Sequence, residues 1–439
     1  MFSALDDRYK NDLKELQKYF GEDAYIKEKV VVEKKYLALI CSLQNIDFHI
    51  NNAFMREEPD LSRIKEIENV IRHDTKAIEV YLQECLRTHL LDQYIPMVHW
   101  GLTSWDVISL ASTHLLQQSI QNVVLKKLSK VLEKLGDFAN NENVLLGRTH
   151  GQPATPVQVK DFFHFYISRL LRQCQKLNQS TNELTVKFGG TVGKLQIHHT
   201  FLSDELIEQK FADWIQKEFH GLQRSPYTTQ IDAYDSWIGL FQDMQLICGI
   251  LLDFVKNVWG YISLDLLKQK VINQEVGSSV MPHKVNPIQW ENAEGNLKLA
   301  IGFFQTLCNS LVESRFQRDM SDSTIIRNIG VPIAHMYLAL VMVVRGLDRL
   351  DFNQETAIQE LNQHYEVLTE VIQHVFRQHN IENAYDIMKE YSRGQSMNQD
   401  QYLEFIANLE ERFQNTGIRW DMLKRWTPED YGKVKIRYE

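Results

Sequence analysis

The sequence predicts an all-α protein built round long helices, and three observations carry that expectation. Only nine prolines and twenty glycines punctuate 439 residues, and no proline falls between Pro156 and Pro226, Pro226 and Pro282, or Pro332 and Pro428. Long helices fit such intervals. Apolar residues recur three and four apart in Ile247, Cys248, Leu251, Leu252, Val255, Val258, Trp259, Ile262 and Leu266, and again in Phe163, Tyr166, Ile167, Leu170, Leu171, Cys174 and Leu177. Leu297, Ala300, Phe303, Phe304, Leu307 and Leu311 repeat the pattern, which marks one helix face buried along many turns. Strand-like alternation is scarce. Helices of this length need partners rather than propensity alone, so a bundle continued across subunits is expected.

Breaks in the pattern near residues 93–96 and 347–351 divide the chain into an N-terminal helical domain (1–93), a central long-helix domain (94–347) and a C-terminal helical domain (348–439). Hydrophobic residues at 44% and charged residues at 24% describe a globular protein. A net charge of -9 argues against nucleic-acid binding, which wants a basic face. An anionic ligand must then be held by local Arg and Lys. The five cysteines show no Cys-x-x-Cys spacing and read as free thiols in a reducing compartment. Residues 1–8 lack a signal peptide's basic head and apolar core, and no uncharged stretch reaches a membrane span, so a cytoplasmic protein away from membranes is expected. His198-His199 reads as surface polar sequence without metal-ligand spacing.

Taken in order, the first chemically suggestive stretch is Ile71-Arg72-His73-Asp74-Thr75-Lys76-Ala77, by itself a polar helix face. Next, Thr103 and Ser104 before Asp106 form either a helix N-cap or an anion site, because free amides at a helix start bind carboxylates and phosphates. In Gly147-Arg148-Thr149-His150-Gly151-Gln152-Pro153, near an expected helix start, Thr149 can orient the imidazole and Gly151 lets a ligand approach. Histidine's pKa suits a proton donor at neutral pH. The loop Val276-Gly277-Ser278-Ser279-Val280-Met281-Pro282-His283-Lys284-Val285-Asn286-Pro287 joins two helical patterns. It carries a nucleophile or base, a cation and an amide, the inventory for handling a carboxylate. Gly277 permits movement and the two prolines stiffen the rest of the loop, as in a lid that carries its own chemistry. From Ser314 to Asn328, three arginines are interleaved with serines, and helical spacing puts Ser323 and Arg327 on one face. Such a cluster suits phosphate oxygens; a salt-bridged helix involving Asp319 and Asp322 is the plain alternative.

These strings resemble those of one family. Gly-Ser-Ser followed by Met-Pro-x-Lys-x-Asn resembles the signature of the fumarase/aspartase superfamily. Thr-His-Gly-Gln-Pro-Ala-Thr-Pro at 149–156, Pro-Tyr-Thr-Thr-Gln-Ile at 226–231 and Met-Pro-His-Lys-Val-Asn at 281–286 together resemble its adenylosuccinate lyase branch, bacterial type. Argininosuccinate lyases, the nearest alternative, normally carry Gln and Lys where this chain has His283 and Val285, and a non-catalytic relative would have no use for the retained loop.

The resemblance implies a three-domain fold whose central helices assemble in a homotetramer, with active sites shared between subunits. It implies β-elimination of fumarate from a succinylated purine nucleotide or its imidazole precursor, with no cofactor and no metal. Ser278 would be the base, although the residues alone leave Ser279 open, and His150 the acid. Lys284 and Asn286 would bind the carbanion's carboxylate. Arg8 and Tyr9, with Arg318, Ser323 and Arg327, would contact the nucleotide phosphate. His73 and Asp74, Thr103 and Ser104, Thr149, and Gln230 would complete substrate binding. The chain departs from the pattern at Asp7, where Gly precedes the Arg-Tyr pair. It departs again at Gly189 and Lys194, where Asn is expected, altering a polar contact to substrate.

Overall fold

A computed structural model of the chain describes residues 3–47, 52–202, 205–272 and 280–433, and helices dominate them. The three periodic stretches become the helices Val159–Asn182, Asp235–Ser263 and Ile288–Leu311. The middle one stops before Leu266, which the periodicity includes, because Asp265 turns left-handed at φ 58° and ends the helical ladder. The proline-free interval after Pro332 also differs from expectation. Beyond the helix Gly330–Asp348 it holds shorter helices, of which Gln399–Arg412 has 14 residues. Left-handed Asn380 and Asn383, both at φ 56°, break the chain there without proline.

Among the described residues strands are few, in three two-stranded sheets. One of them corrects the expected helix start at His150: Val144–Thr149 (β1) and Gln152–Gln158 (β2) pair antiparallel as a hairpin. Its turn residues His150 and Gly151 have φ 53° and 74°, the double left-handed backbone that matches strand twist in tight hairpins. Pro153 and Pro156 are tolerated because β2 has one strand neighbour. The register slips between Leu145 and Gly147, where a side chain on Gly147 would meet the Thr155 carbonyl oxygen at 2.1 Å.

The chain forms two compact units. The first comprises residues 1–129, 172–252 and 293–341. One of its cores packs Ile26, Val30 and Leu37 of the helix Glu22–Leu43 against Ile78, Leu82 and Leu86 of the helix Asp74–Thr88. The second comprises residues 130–171, 253–292 and 342–439. Its C-terminal core joins Tyr365, Phe376, Tyr402, Phe405 and Trp420, and a smaller cluster seats Val144 and Leu146 of β1 on Leu361 and Val367. Among the described residues two helical stretches, Asp235–Ser263 and Ser321–Asp348, are long and apolar enough to span a membrane, but 56% and 72% of their most apolar windows are buried within the protein. Burial in a core accounts for that composition.

Candidate active site

In the first unit Thr103 and Ser104, and His73 and Asp74, sit at helix starts braced by buried charge. Thr103 caps the helix Ser104–Ser119, and its N–H donates to Asp106 Oδ2 at 2.8 Å. The cap reading therefore holds, and Asp106 does more. Fully buried, it also accepts from Lys187 Nζ at 2.6 Å and from the N–H of Gly189 at 2.7 Å. Lys187, likewise fully buried, donates to the Gly190 carbonyl at 2.6 Å. Burial pulls the Lys187 ammonium down and Asp106 opposes it. The glycine at 189 follows from this packing, since a Cβ there would lie 2.8 Å from Gly193 Cα. Lys194 is exposed, its Nζ 5.9 Å from the centre of the Tyr227 ring.

His73 is the N-cap of the helix Asp74–Thr88, its Nδ1 accepting from Lys76 N at 3.2 Å. Asp74 pairs with Lys29 Nζ at 2.9 Å, a lysine whose side chain is 1% exposed, and lies 3.9 Å from Arg327 Nη2. Burial pushes the Asp74 carboxyl up, but Lys29, the Thr75 amide and Arg327 outweigh it and hold it below the usual range. Lys29, Asp74 and Arg327 line a cavity of about 550 Å³ together with Tyr25, Ser112 and apolar residues such as Phe20. Arg327 follows the short helix Ser321–Ile326, with helical backbone, so that Ser323 and Arg327 share a face. Arg8 and Tyr9 lie in the turns before residue 14, with the Arg8 guanidinium 5.8 Å from the Tyr9 ring centre.

The arginine-rich segment is only in part a salt-bridged helix. Arg315 does pair with Asp319 at 3.2 Å, whereas Asp322 accepts from Tyr234 OH at 3.0 Å. Arg318 stands over the Trp105 ring, 4.1 Å from its centre, and donates to Gln230 Oε1 at 3.2 Å. Two residues 88 apart in sequence are thus brought together.

In the second unit, Thr149 and His150 are exposed at the hairpin tip. Arg148 donates to the Gly151 carbonyl at 3.3 Å and pairs with Glu360, bracing the turn. Lys284 is exposed and its N–H donates to the Met281 carbonyl at 3.2 Å, while the Asn286 carbonyl accepts from Ile288 N at 2.9 Å. Ser278 and Ser279 lie outside the described residues, as does Gly277.

Sequence reasoning misplaced His198 and passed over Lys29, Trp105 and Lys187. His198 is not surface polar sequence but fully buried, with Nε2 2.8 Å from Tyr36 OH and the Trp100 and Phe211 rings around it. Burial pushes its pKa down to about 4. A side chain on Gly101 would strike it at 2.8 Å, so His198 backs the loop leading to Thr103. None of these residues had a local signal, since each is defined by a partner distant in sequence.

A lyase family model matches residues 22–302, and the model for the adenylosuccinate lyase C-terminal region matches residues 314–431. Among solved structures, a fumarate lyase from Mesorhizobium sp. BNC1 superposes with a TM-score of 0.75 at 16% identity, covering 96% of this chain and 94% of that one. A 3-carboxy-cis,cis-muconate lactonizing enzyme from Pseudomonas putida gives 0.75 at 18%, covering 95% and 93%. The lyase family model over residues 22–302 places the chain in the fumarase/aspartase superfamily of lyases, and these superpositions show the fold in common. Within it, the adenylosuccinate lyases of Buchnera aphidicola subsp. Schizaphis graminum and of Escherichia coli K12 are each 35% identical, over 98% of this chain and 95% of theirs. That of Legionella pneumophila strain Philadelphia 1 is 36% identical over 93% and 91%. The chain belongs to the adenylosuccinate lyase family.

Proposed function

We propose that the chain releases fumarate from adenylosuccinate, giving AMP, and from the succinylated aminoimidazole carboxamide ribotide, giving the free carboxamide ribotide. The observation that carries this reading is the Arg318–Gln230 pair at 3.2 Å. It sets a cation suited to a nucleotide phosphate beside an amide suited to a succinyl group. Arg327 and Ser323, with Arg8 and Tyr9, complete the phosphate contacts. Thr103 and Ser104 offer a helix N-terminus to an anion. His73 and Asp74 serve the substrate from the next helix start.

The reaction removes a proton from a carbon beside a carboxylate and then breaks a carbon–nitrogen bond. Ser278 is the base, active once a closed loop excludes water. Lys284 and Asn286 bind the extra charge of the aci-carboxylate more tightly than the ground state. His150, oriented by Thr149, protonates the departing nitrogen. The substrate's own carboxylate is the electron sink, so the chemistry calls for neither metal nor organic cofactor.

The chain acts as a cytoplasmic homotetramer of three-domain subunits (1–93, 94–347, 348–439) whose active sites draw on several subunits. Exposed apolar residues on the long helices support assembly: Phe165 is 54% exposed, Leu246 51% and Leu299 50%. Ultraviolet absorbance with adenylosuccinate tests the activity, with Ser278→Ala and His150→Ala expected to lose it. Co-folding the two inactive variants should restore partial activity. No conversion by folded parent protein would overturn the reading, and failed complementation in verified mixed tetramers would overturn the shared site.

A further inference from the structure

We propose that Trp105 is a positioning residue for the phosphate end of the substrate: its indole face fixes the Arg318 guanidinium in the orientation that receives the phosphate. The inference rests on the reading of Arg318 as a phosphate contact, and it concerns a residue that no motif singled out.

Arg318 lies in a stretch without regular structure between the helices Ile288–Leu311 and Ser321–Ile326. A long side chain on such a segment loses much rotamer freedom when it binds an anion, which weakens binding unless the side chain is already held. Trp105 supplies the hold. It sits in the first turn of the helix Ser104–Ser119, is 2% exposed, and meets the guanidinium 4.1 Å from its ring centre. A guanidinium stacked on an indole uses its π face and keeps its N–H donors in the free plane. The contact over the ring thus holds the cation without consuming the donors a phosphate needs.

The present partners of those donors fit this role. Nη1 donates to Gln230 Oε1 at 3.2 Å, Nε to the Asp319 carbonyl at 3.3 Å, and Nη2 to Met320 Sδ at 3.2 Å. A thioether is a weak acceptor, and Met320 is 64% exposed. A phosphate oxygen displacing that sulfur gains a charge-assisted hydrogen bond at little cost. Trp105 also directly follows Ser104, so one helical turn presents an anion-binding N-terminus and the platform that aims the arginine.

The test compares Trp105→Leu, Trp105→Phe and Arg318→Met in the full-length protein. Calorimetry gives affinities for AMP and for fumarate, and steady-state kinetics gives KM and kcat for adenylosuccinate. Trp105→Leu should weaken AMP binding and raise KM by about 5- to 30-fold, the range of a partly desolvated cation–π contact. The affinity for fumarate, which carries no phosphate, should stay within about 2-fold, as should kcat. Trp105→Phe, which keeps a weaker face and most of the volume, should fall between and covers the case in which the leucine variant does not fold. In an Arg318→Met background, Trp105→Phe should have no further effect on AMP.

AMP and fumarate weakened alike would mean a merely structural role and overturn the proposal. So would Arg318→Met weakening AMP while both Trp105 variants leave it unchanged. AMP binding indifferent to Arg318→Met would instead remove Arg318 from the phosphate site and take the proposal with it. Absence of adenylosuccinate conversion by the parent, with AMP binding still lost in Trp105→Leu, would overturn the reaction and leave the positioning role standing.

Discussion

The residues proposed to bind substrate in the first compact unit and His150, the proton donor proposed in the second, are held by opposite means. In the first unit, Thr103, Asp74 and Arg318 rest on Asp106–Lys187, on Lys29 and on Trp105, all but fully buried. In the second, His150 stands exposed on a two-residue turn with φ 53°, braced by Arg148 and Glu360. A binding site gains from groups fixed in advance, because the entropy of ordering them is lost on folding rather than on binding. A proton donor gains from access to the atom it protonates. The contrast teaches that stability and chemistry are distributed unevenly over these two sites, and three perturbations bear on it.

The largest effect is expected from Lys187→Met. Removing the cation leaves Asp106 charged, buried and short of a partner, which costs about 3–5 kcal/mol. A lowered denaturant midpoint at unchanged slope would register it. A loss below about 1 kcal/mol would show that the Gly189 and Gly190 amides suffice and that the buried pair is not what holds this region.

A smaller effect should come from His198 through pH. Its folded pKa of about 4 lies below the 6.5 of an unperturbed histidine. Between those values the unfolded chain takes up a proton that the folded one refuses. Stability therefore falls as pH drops through this window, by about 2 kcal/mol between pH 7 and 5. His99 works in the opposite sense. Burial lowers its pKa, but Glu33 at 2.5 Å and Glu79 raise it on balance, so it favours the fold at low pH. The share of His198 is isolated by comparing melting at pH 7 and 5 with that of His198→Gln. An acid-induced loss equally large in the variant would assign it elsewhere.

The smallest stability effect belongs to the hairpin. His150→Asn keeps a residue that tolerates the left-handed turn, and its unfolding free energy should stay within about 1 kcal/mol of the parent. Its elimination rate should fall by about 100- to 10,000-fold. A stability loss matching that of Lys187→Met would erase the distinction between the two regions.

Much of this was legible along the chain. Three-and-four spacing located the long helices, and contiguous strings such as residues 149–156 and 281–286 carried the family. Thr103 with the Asp106 three residues on read as either a cap or an anion site, and the structure supplied the cap. The hairpin did not: β2 holds two prolines and β1 a glycine, so neither alternates as a strand should, and the turn is made by a histidine. His198 also looked like surface, since polarity predicts exposure only where no partner waits inside.

The sequence by itself determined the class of fold, the family and the residue types at the site, because helical periodicity and short motifs are properties of neighbours in the chain. Tertiary structure alone decided which charges support those residues. Lys29 meets Asp74, Lys187 meets Asp106 and Trp105 meets Arg318 across 45, 81 and 213 positions (318 − 105 = 213 for the last). A buried charge or a stacked cation is stable only against its specific partner, and nothing in the residues beside it encodes where that partner will be.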